Sequence, residues 1–464
     1  MMEKKLGSGF RGQGSLTPPI RTPFAWAWTA VVAGAALALA APVCAETIKL
    51  DAKAAAERAV AVSHVAAAAD ARVAATNETV KAADAATLPA FSLGASVNQR
   101  SSVPEFSAPI NGPLQPAVVL NPDITTTYWT SLRLQQALYT GGAITGQREA
   151  TRHDAQASAA NRSITGADLR LNAQLLYWEA VRGAASVVVA RAQEERAGRL
   201  LDDTKALFDA GMAVRGDVLA AEERIASAHV QLIVAQTQAD NALAQLRSLL
   251  QIEPRDTVEL SDSLAGPLPS PPATADELQG QALARRPEFA ASAAQIAALR
   301  SRQQVASAPA LPSVGAVAQL DYSLPNIRYF PQQDQWNESW SVGLLASWTL
   351  FDGGKARADT ATLEFSERAA LQDRDELTRR ILVEVQNDRR NLESALAAVL
   401  AADAARAAGV EREKEAQERH AAGLAPMVDV LDAQAQLASA EQQQVNARAA
   451  SWIAAALLAR ATGQ

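Results

Sequence analysis

The sequence predicts a mainly α-helical chain with a small β part, built from two copies of one unit. Three observations carry this. First, the run Ala422 to Ala440, A-G-L-A-P-M-V-D-V-L-D-A-Q-A-Q-L-A-S-A, has a twin at Ala210 to Ala228, A-G-M-A-V-R-G-D-V-L-A-A-E-E-R-I-A-S-A. Gly211 answers Gly423 and Asp217 answers Asp429, an offset of 212 residues (211 to 423). Second, A-L-Y-T-G-G, ending at Gly142, and T-L-F-D-G-G, ending at Gly354, keep the same offset (142 to 354). An internal repeat is settled before any local reading. Third, the 464-residue chain is 48% hydrophobic but only 5% aromatic, and much of its apolar content is alanine. Alanine favours helix and is too small to fill a thick core, so long helices packed closely side by side are expected.

The first 45 residues precede the fold. Lys4, Lys5, Arg11 and Arg21 come before an apolar run from Phe24 to Ala41, and Val43-Cys44-Ala45 supplies small residues before a cut. That order reads as a secretory signal peptide over 1–45. A transmembrane anchor is the rival; the run is near the lower limit for spanning, and no basic stop follows it. Cleavage after Ala45 removes Cys44, the only cysteine, so the mature chain forms no disulfide. Ala41-Pro42-Val43 matches a lipidation signal at Cys44 poorly.

The first repeat covers 46–252. Thr47 to about Ala86 reads as an alanine-rich helix ended by Leu88-Pro89. Phe91, Leu93, Ala95 and Val97 then alternate with Ser92, Gly94, Ser96 and Asn98, the period of a strand with one apolar face. After a Pro-, Asn- and Ser-rich loop, Tyr128, Thr130, Leu132, Leu134 and Leu138 mark a second strand, giving a hairpin over about 90–139. Gly141 and Gly142 read as the strand-to-helix turn. Beyond them apolar residues recur at steps of three and four, as in Ile225, Ala228, Leu232, Ala235, Ala239 and Ala242. Such a heptad specifies coiled-coil packing. Gly211 lies in the one plausible break, so an antiparallel helical hairpin turns there, with arms approaching roughly 60 to 100 Å.

A Pro- and Ser-rich connector, 253–274, leads to the second repeat, 275–464. It repeats the plan: a helix to about Ser307, Leu311-Pro312, a hairpin over about 313–351, the Gly353 and Gly354 turn, and a helical hairpin with its tip near 423. Ten of the few aromatics, among them Tyr128, Trp129, Tyr322, Trp336, Trp340 and Trp348, lie in or beside the two β-hairpins. In strands about ten residues long, this fits the interfacial girdle of a membrane barrel. A soluble sheet covering another element is the alternative. Four strands cannot close a barrel; two chains give eight strands and three give twelve.

R-P-E at 286–288, L-P at 311–312, W-T-L-F-D-G-G at 348–354 and H-A-A-G-L-A-P-M-V-D-V-L-D-A-Q at 420–434, together with the duplication, resemble the TolC-like outer membrane efflux protein family. The resemblance covers nearly all of the mature chain. It implies a homotrimer in the outer membrane, with a twelve-stranded barrel continued by an α-helical tunnel through the periplasm. It also implies a passive exit duct, gated at its periplasmic end and docked to a periplasmic adaptor and an inner-membrane pump. That pump is of either the proton-driven (RND) or the ABC class, the second serving type I protein secretion. A trimeric adhesin or structural coiled coil is the alternative, but adhesins group their strands at the C-terminus.

Asp429, Asp432, Gln436, Ser439, Gln443 and Asn446 share one face of the helix after Gly423, and all are polar. Such a stripe fits a tunnel lining or a solvated outer face. The resemblance implies that Asp429 and Asp432 ring the periplasmic aperture, that Asp217 joins the polar lock, and that Gly211 and Gly423 mark the tips that meet the adaptor. Placement at a helix N-terminus is the plainer account of both aspartates. His420 stands where a tyrosine is usual and Ala425 where an arginine is usual, so the lock is built differently, with Arg215 or Arg419 as candidates. The histidines are scattered without metal-ligand spacing, and no catalytic or phosphate-binding motif appears. Neither a cofactor nor a metal is expected, and a net charge of −7 without a basic cluster gives no reason to expect nucleic acid.

Overall fold

The computed structural model describes residues 47–109 and 116–464; the signal peptide expected over 1–45 and the centre of the first hairpin loop lie outside them. The chain opens with β1 (Thr47–Leu50), α1 (Ala52–Val62) and α2 (His64–Ala85). β2 (Ala90–Gln99) returns as β5 (Thr126–Tyr139) through a loop that carries the small ladder of β3 (Phe106–Ala108) and β4 (Val118–Asn121). Then come α3 (Ala143–Asp209), α4 (Arg215–Leu249), β6 (Thr257–Leu260), α5 (Ala275–Arg285) and α6 (Pro287–Ser307). The chain ends with β7 (Ser313–Leu324), β8 (Asn337–Ser347), α7 (Lys355–Ala421) and α8 (Met427–Ala461).

The duplication is exact in helix length. α3 and α7 each have 67 residues, and α4 and α8 each have 35. Each boundary of the later pair lies 212 residues beyond its counterpart: 143 to 355, 209 to 421, 215 to 427 and 249 to 461. At 1.5 Å per residue the long arms reach roughly 100 Å. The two hairpins lie side by side, with α3 packed on both α4 and α8, and α8 packed on α7. Small residues permit the approach. A Cβ on Gly183 would sit 2.9 Å from the Ala239 Cα, and one on Gly409 would sit 3.3 Å from Leu437.

Two segments differ from the sequence reading. Thr47 to Ala86 is not one helix: Thr47–Leu50 pairs in parallel with β6, inside the connector expected to be irregular. Asp51 accepts from the Ala54 N–H at 2.6 Å and so starts α1, and Ser63 accepts from the Val65 N–H and starts α2. These side chains satisfy helix-start donors that lack an intrahelical partner. The helix expected from 275 to 307 divides at Arg286, whose backbone is extended, because Pro287 fits the first position of a new helix.

The core sits at the level of this connector. The buried Tyr177 hydroxyl donates to the Leu50 carbonyl at 3.0 Å and accepts from the Asp262 N–H at 3.1 Å, tying α3 to both chains where the parallel β1–β6 pair ends. Burial pushes that hydroxyl above its ordinary pKa. Trp178 stacks on Trp452 of α8 with centroids 4.7 Å apart. A charged cluster closes the other side. Arg286 donates to Glu288 and Glu384, and Arg460 of α8 donates to Glu288 and to Asp168 of α3. Burial raises the Glu288 carboxyl, but the bonds from Arg286 and Arg460 outweigh it and bring the group down to about 2.

That depression fixes an acid limb. Glu288 contributes in full above its ordinary value of 4.5, and its contribution fades as pH falls from there toward 2. The change is about 3 kcal/mol. Glu288→Gln is expected to flatten the loss of stability in that window, as read by thermal melts against pH; an unchanged acid limb would refute it. A second test separates glycine conformation from crowding. Gly141 has φ +62, and an added Cβ would meet the Ala308 carbonyl at 2.7 Å, whereas Gly211 has φ +76 with nothing within 4 Å. Gly211→Ala should cost about 1 kcal/mol and Gly141→Ala about 3 kcal/mol. Denaturant midpoints measure the difference, and equal losses would contradict it.

Candidate functional site

The four longer strands form one antiparallel sheet in the order β2-β5-β7-β8. Because side chains alternate along each strand, the register sorts whole rows to one face. Phe91, Leu134, Ala318 and Val342 form one row, and Leu93, Leu132, Leu320 and Trp340 the next. The rows between them are Ser92, Arg133, Gln319 and Ser341, then Gly94, Ser131, Asp321 and Ser339. One face is therefore apolar and the other polar. Among the described residues no other element covers the apolar face, where Leu93 is 74% and Trp340 70% exposed. The polar face is internally bonded: Arg133 donates to Gln319 at 3.0 Å, and the Trp129 indole donates to Asp321 at 3.1 Å. Trp129 thus belongs to the polar side rather than to the girdle.

The other aromatics group at the ends of the strands. Trp336 stacks on Tyr322 at 4.9 Å and lies 5.8 Å from Tyr128, at the end away from the helices. Tyr139, Trp348 and Phe351 lie at the helical end and are exposed. From Tyr322 to Val314 the strand rises roughly 26 Å at 3.3 Å per residue, close to the apolar height of an outer-membrane barrel. β2 and β8 are the outer strands and find no further partner within the described chain. Among the described residues no helix is long and apolar enough to cross a membrane.

Tight turns join sheet to helices. Gly141, Gly142, Gly353 and Gly354 all have positive φ, from +62 to +94, a region that disfavours other residues. At the far ends, Gly211 and Gly423 have φ +76 and +73. The Met212 N–H reaches back to the Leu207 carbonyl and the Leu424 N–H to the Arg419 carbonyl, both at 2.8 Å, closing matched helix caps. Met212, Val214, Leu424 and Val428 stand exposed around these tips.

The repeat-related aspartates differ in their freedom. Asp217 accepts from the Val214 N–H at 3.1 Å and so caps its own helix. Pro426 occupies the place of Val214 and has no N–H. Asp429 cannot make that bond, and its carboxylate is exposed without a side-chain partner among the described residues. Asp432 accepts from Arg412 of α7 at 3.2 Å and from Gln436 at 2.8 Å. Within the chain Arg412 thus bridges α7 to α8, while Arg419 pairs with Glu415. Arg412 lies ten residues before the turn at 422 and Asp432 ten after, a mirror spacing that sequence reading overlooked. His420 and Ala425, the two departures from the family pattern, bond each other: Nδ1 donates to the carbonyl at 2.9 Å.

Gln436, Ser439, Gln443 and Asn446 are all exposed on the same face of α8 as Asp429 and Asp432. Ser439 and Gln443 bond one turn apart, and Asn446 accepts from Arg182 of α3. Ser439 and Asn446 also border a groove of about 510 Å³ between α3, α4 and α8, lined by amides, hydroxyls and two arginines but no carboxylate. Among the described residues no cluster of His, Cys, Asp and Glu is arranged to hold a metal.

The sequence profile of the family described as "Outer membrane efflux protein" matches residues 55–250 and 278–464, one stretch in each repeat. The chain is 24% identical over 312 residues to the outer membrane protein TolC of Vibrio cholerae, spanning 66% of this chain and 68% of that one. It is 27% identical over 322 residues to the alkaline protease secretion protein AprF of Pseudomonas aeruginosa, spanning 68% of this chain and 65% of AprF, just under two thirds of that relative. Its fold superposes on the outer membrane protein VceC of Vibrio cholerae with a TM-score of 0.72 at 18% identity, covering 89% of this chain and 96% of VceC. Matched repeat by repeat, with a sheet that is apolar on one side and polar on the other, the chain belongs to the outer membrane efflux protein family: a channel protein of the outer membrane, not an enzyme.

Proposed function

We propose that three copies of this chain assemble into one duct, a twelve-stranded barrel in the outer membrane continued by a helical tunnel into the periplasm. The observation that carries this reading is the sheet with one apolar face and two outer strands left without a neighbour among the described residues. Lipid offers no hydrogen bonds, so those edges must pair. Within the chain, the second strand of the first repeat, β5, already pairs with the first strand of the second repeat, β7. Pairing β8 of one copy with β2 of the next repeats that junction between chains. Two copies would close eight strands, whose interior side chains fill; twelve leave a lumen. The polar rows then face water and the apolar rows face lipid.

The free face of α8 lines the tunnel in this reading, and Asp429 with Asp432 rings its periplasmic aperture. Pro426 leaves Asp429 unbonded, while Arg412 holds Asp432 against α7. Asp217 stabilises the neighbouring tip as a cap. The exposed apolar residues at Gly211 and Gly423 are where a periplasmic adaptor docks, carrying the duct to an inner-membrane pump. One relative is named for secretion of a protease, which favours an unfolded polypeptide as cargo over small molecules; neighbouring genes for an ABC transporter or a proton-driven pump would separate the two.

Native mass spectrometry of detergent-extracted protein should give three copies, and a stable monomer would overturn the reading. In planar bilayers, Asp429→Ala with Asp432→Ala should raise single-channel conductance and weaken divalent block about tenfold, since crowded carboxylates attract cations. Arg412→Gln should act oppositely on block, strengthening it a few-fold by removing the cation beside Asp432. Unchanged conductance and block in both variants would remove the aperture assignment.

A further inference from the structure

We propose that the pocket between the two helical hairpins near their tips binds a small amphipathic ammonium compound, with Glu413 as counter-ion and Gln434 as hydrogen-bond partner. The pocket has a volume of about 690 Å³ and is walled by α3, α7 and α8. It lies on the opposite side of α8 from the polar stripe. Val430 and Gln434, which line it, are buried, whereas Asp432 and Gln436 are exposed. Its size suits a small organic ligand.

Two buried polar groups in its wall are incompletely used. Gln434 is only 4% exposed, yet its side chain makes no hydrogen bond with any described residue. Its amide is not sealed within the protein, so it is reachable from the cavity that it lines. Glu413 is 8% exposed and accepts only from the Gln417 amide at 3.1 Å, with no Lys, Arg or His nitrogen within 4.0 Å. Buried carboxylates are ordinarily paired. Arg196, which also lines the pocket, is committed to Glu441 at 2.5 Å. Arg199 and Asp203 are exposed at the rim, one turn apart, and their charges offset each other.

The remaining groups fix the ligand's chemistry. The buried Thr204 hydroxyl donates to the Leu200 carbonyl and keeps its lone pairs free. Glu413 on α7 and the Gln434 carbonyl oxygen on α8 both line the cavity, offering a carboxylate as charge partner and an amide acceptor to an ammonium's donors. Leu200, Leu207, Met212 and Val430 form the apolar wall, which accepts an aromatic or alkyl body. Since α3 belongs to the first hairpin and α7 and α8 to the second, such a ligand bridges the two. The site stands independently of the aperture.

The test uses the full chain in amphipol and follows 4-phenylbutylammonium by equilibrium dialysis, with the neutral 4-phenylbutanol as control. One saturable site per chain is expected. Glu413→Gln, which keeps the side-chain shape, should weaken it at least tenfold, and the neutral alcohol should bind at least tenfold more weakly. Gln434→Glu adds a second carboxylate and should tighten binding severalfold, so the site is testable even if Glu413→Gln fails to fold. Binding should persist in the variant carrying Asp429→Ala and Asp432→Ala, which separates the pocket from the aperture. Binding that never saturates, equal binding of the alcohol, full affinity in Glu413→Gln, no gain in Gln434→Glu, or loss in the aspartate double variant would each overturn the proposal.

Discussion

An exposed sheet edge cannot rest in lipid, and the rest of this structure depends on that constraint. Every strand carries a row of backbone donors and acceptors, and in hydrocarbon each unsatisfied group costs several kcal/mol. The sheet β2-β5-β7-β8 satisfies its interior, and among the described residues the outer edges of β2 and β8 have no partner. The apolar rows headed by Phe91 and Leu93 already fit lipid, and the Arg133–Gln319 and Trp129–Asp321 bonds already occupy the other face. Sorting of faces is thus complete within one chain, whereas closure is what the proposed assembly of copies would add.

Duplication makes this economical, but the copies have diverged beside their tips. The tips share the same caps, the same left-handed glycine and the same apolar exposure. One substitution separates their aspartates. Val214 offers an N–H to Asp217, while Pro426 withholds one from Asp429. A carboxylate that serves as a helix cap in the first hairpin is left free in the second. On the far side of α8, the buried and under-used Glu413 and Gln434 show the same economy in reverse, with polar groups held in a wall that apolar residues would fill more cheaply.

Between sheet and tips, the helices are clamped at one level. Tyr177 bonds both chains at the C-terminal end of the β1–β6 pair, and Arg286, Glu288 and Arg460 join α3, α6, α7 and α8. Long alanine-faced helices bury little area per residue, so their stability comes from tertiary packing and such local ties more than from thickness of core.

Sequence alone determined the repeat, the long helices, the strands and the glycine turns, because each rests on local chemistry: a period of two or of seven, a glycine before a helix, a proline after one. It missed β1 and β6, since four-residue strands 210 positions apart carry no periodicity and exist only because they meet. The R-P-E motif was visible, but not its partners Glu384, Arg460 and Asp168, which three other helices bring to it. Asp429 and Asp432 were legible as a polar stripe; that one is free and the other held by Arg412 was decided by the hairpin's register. The pocket at Glu413 and Gln434 left no trace in the sequence, because burial without a partner is a property of packing and only the folded chain can create it.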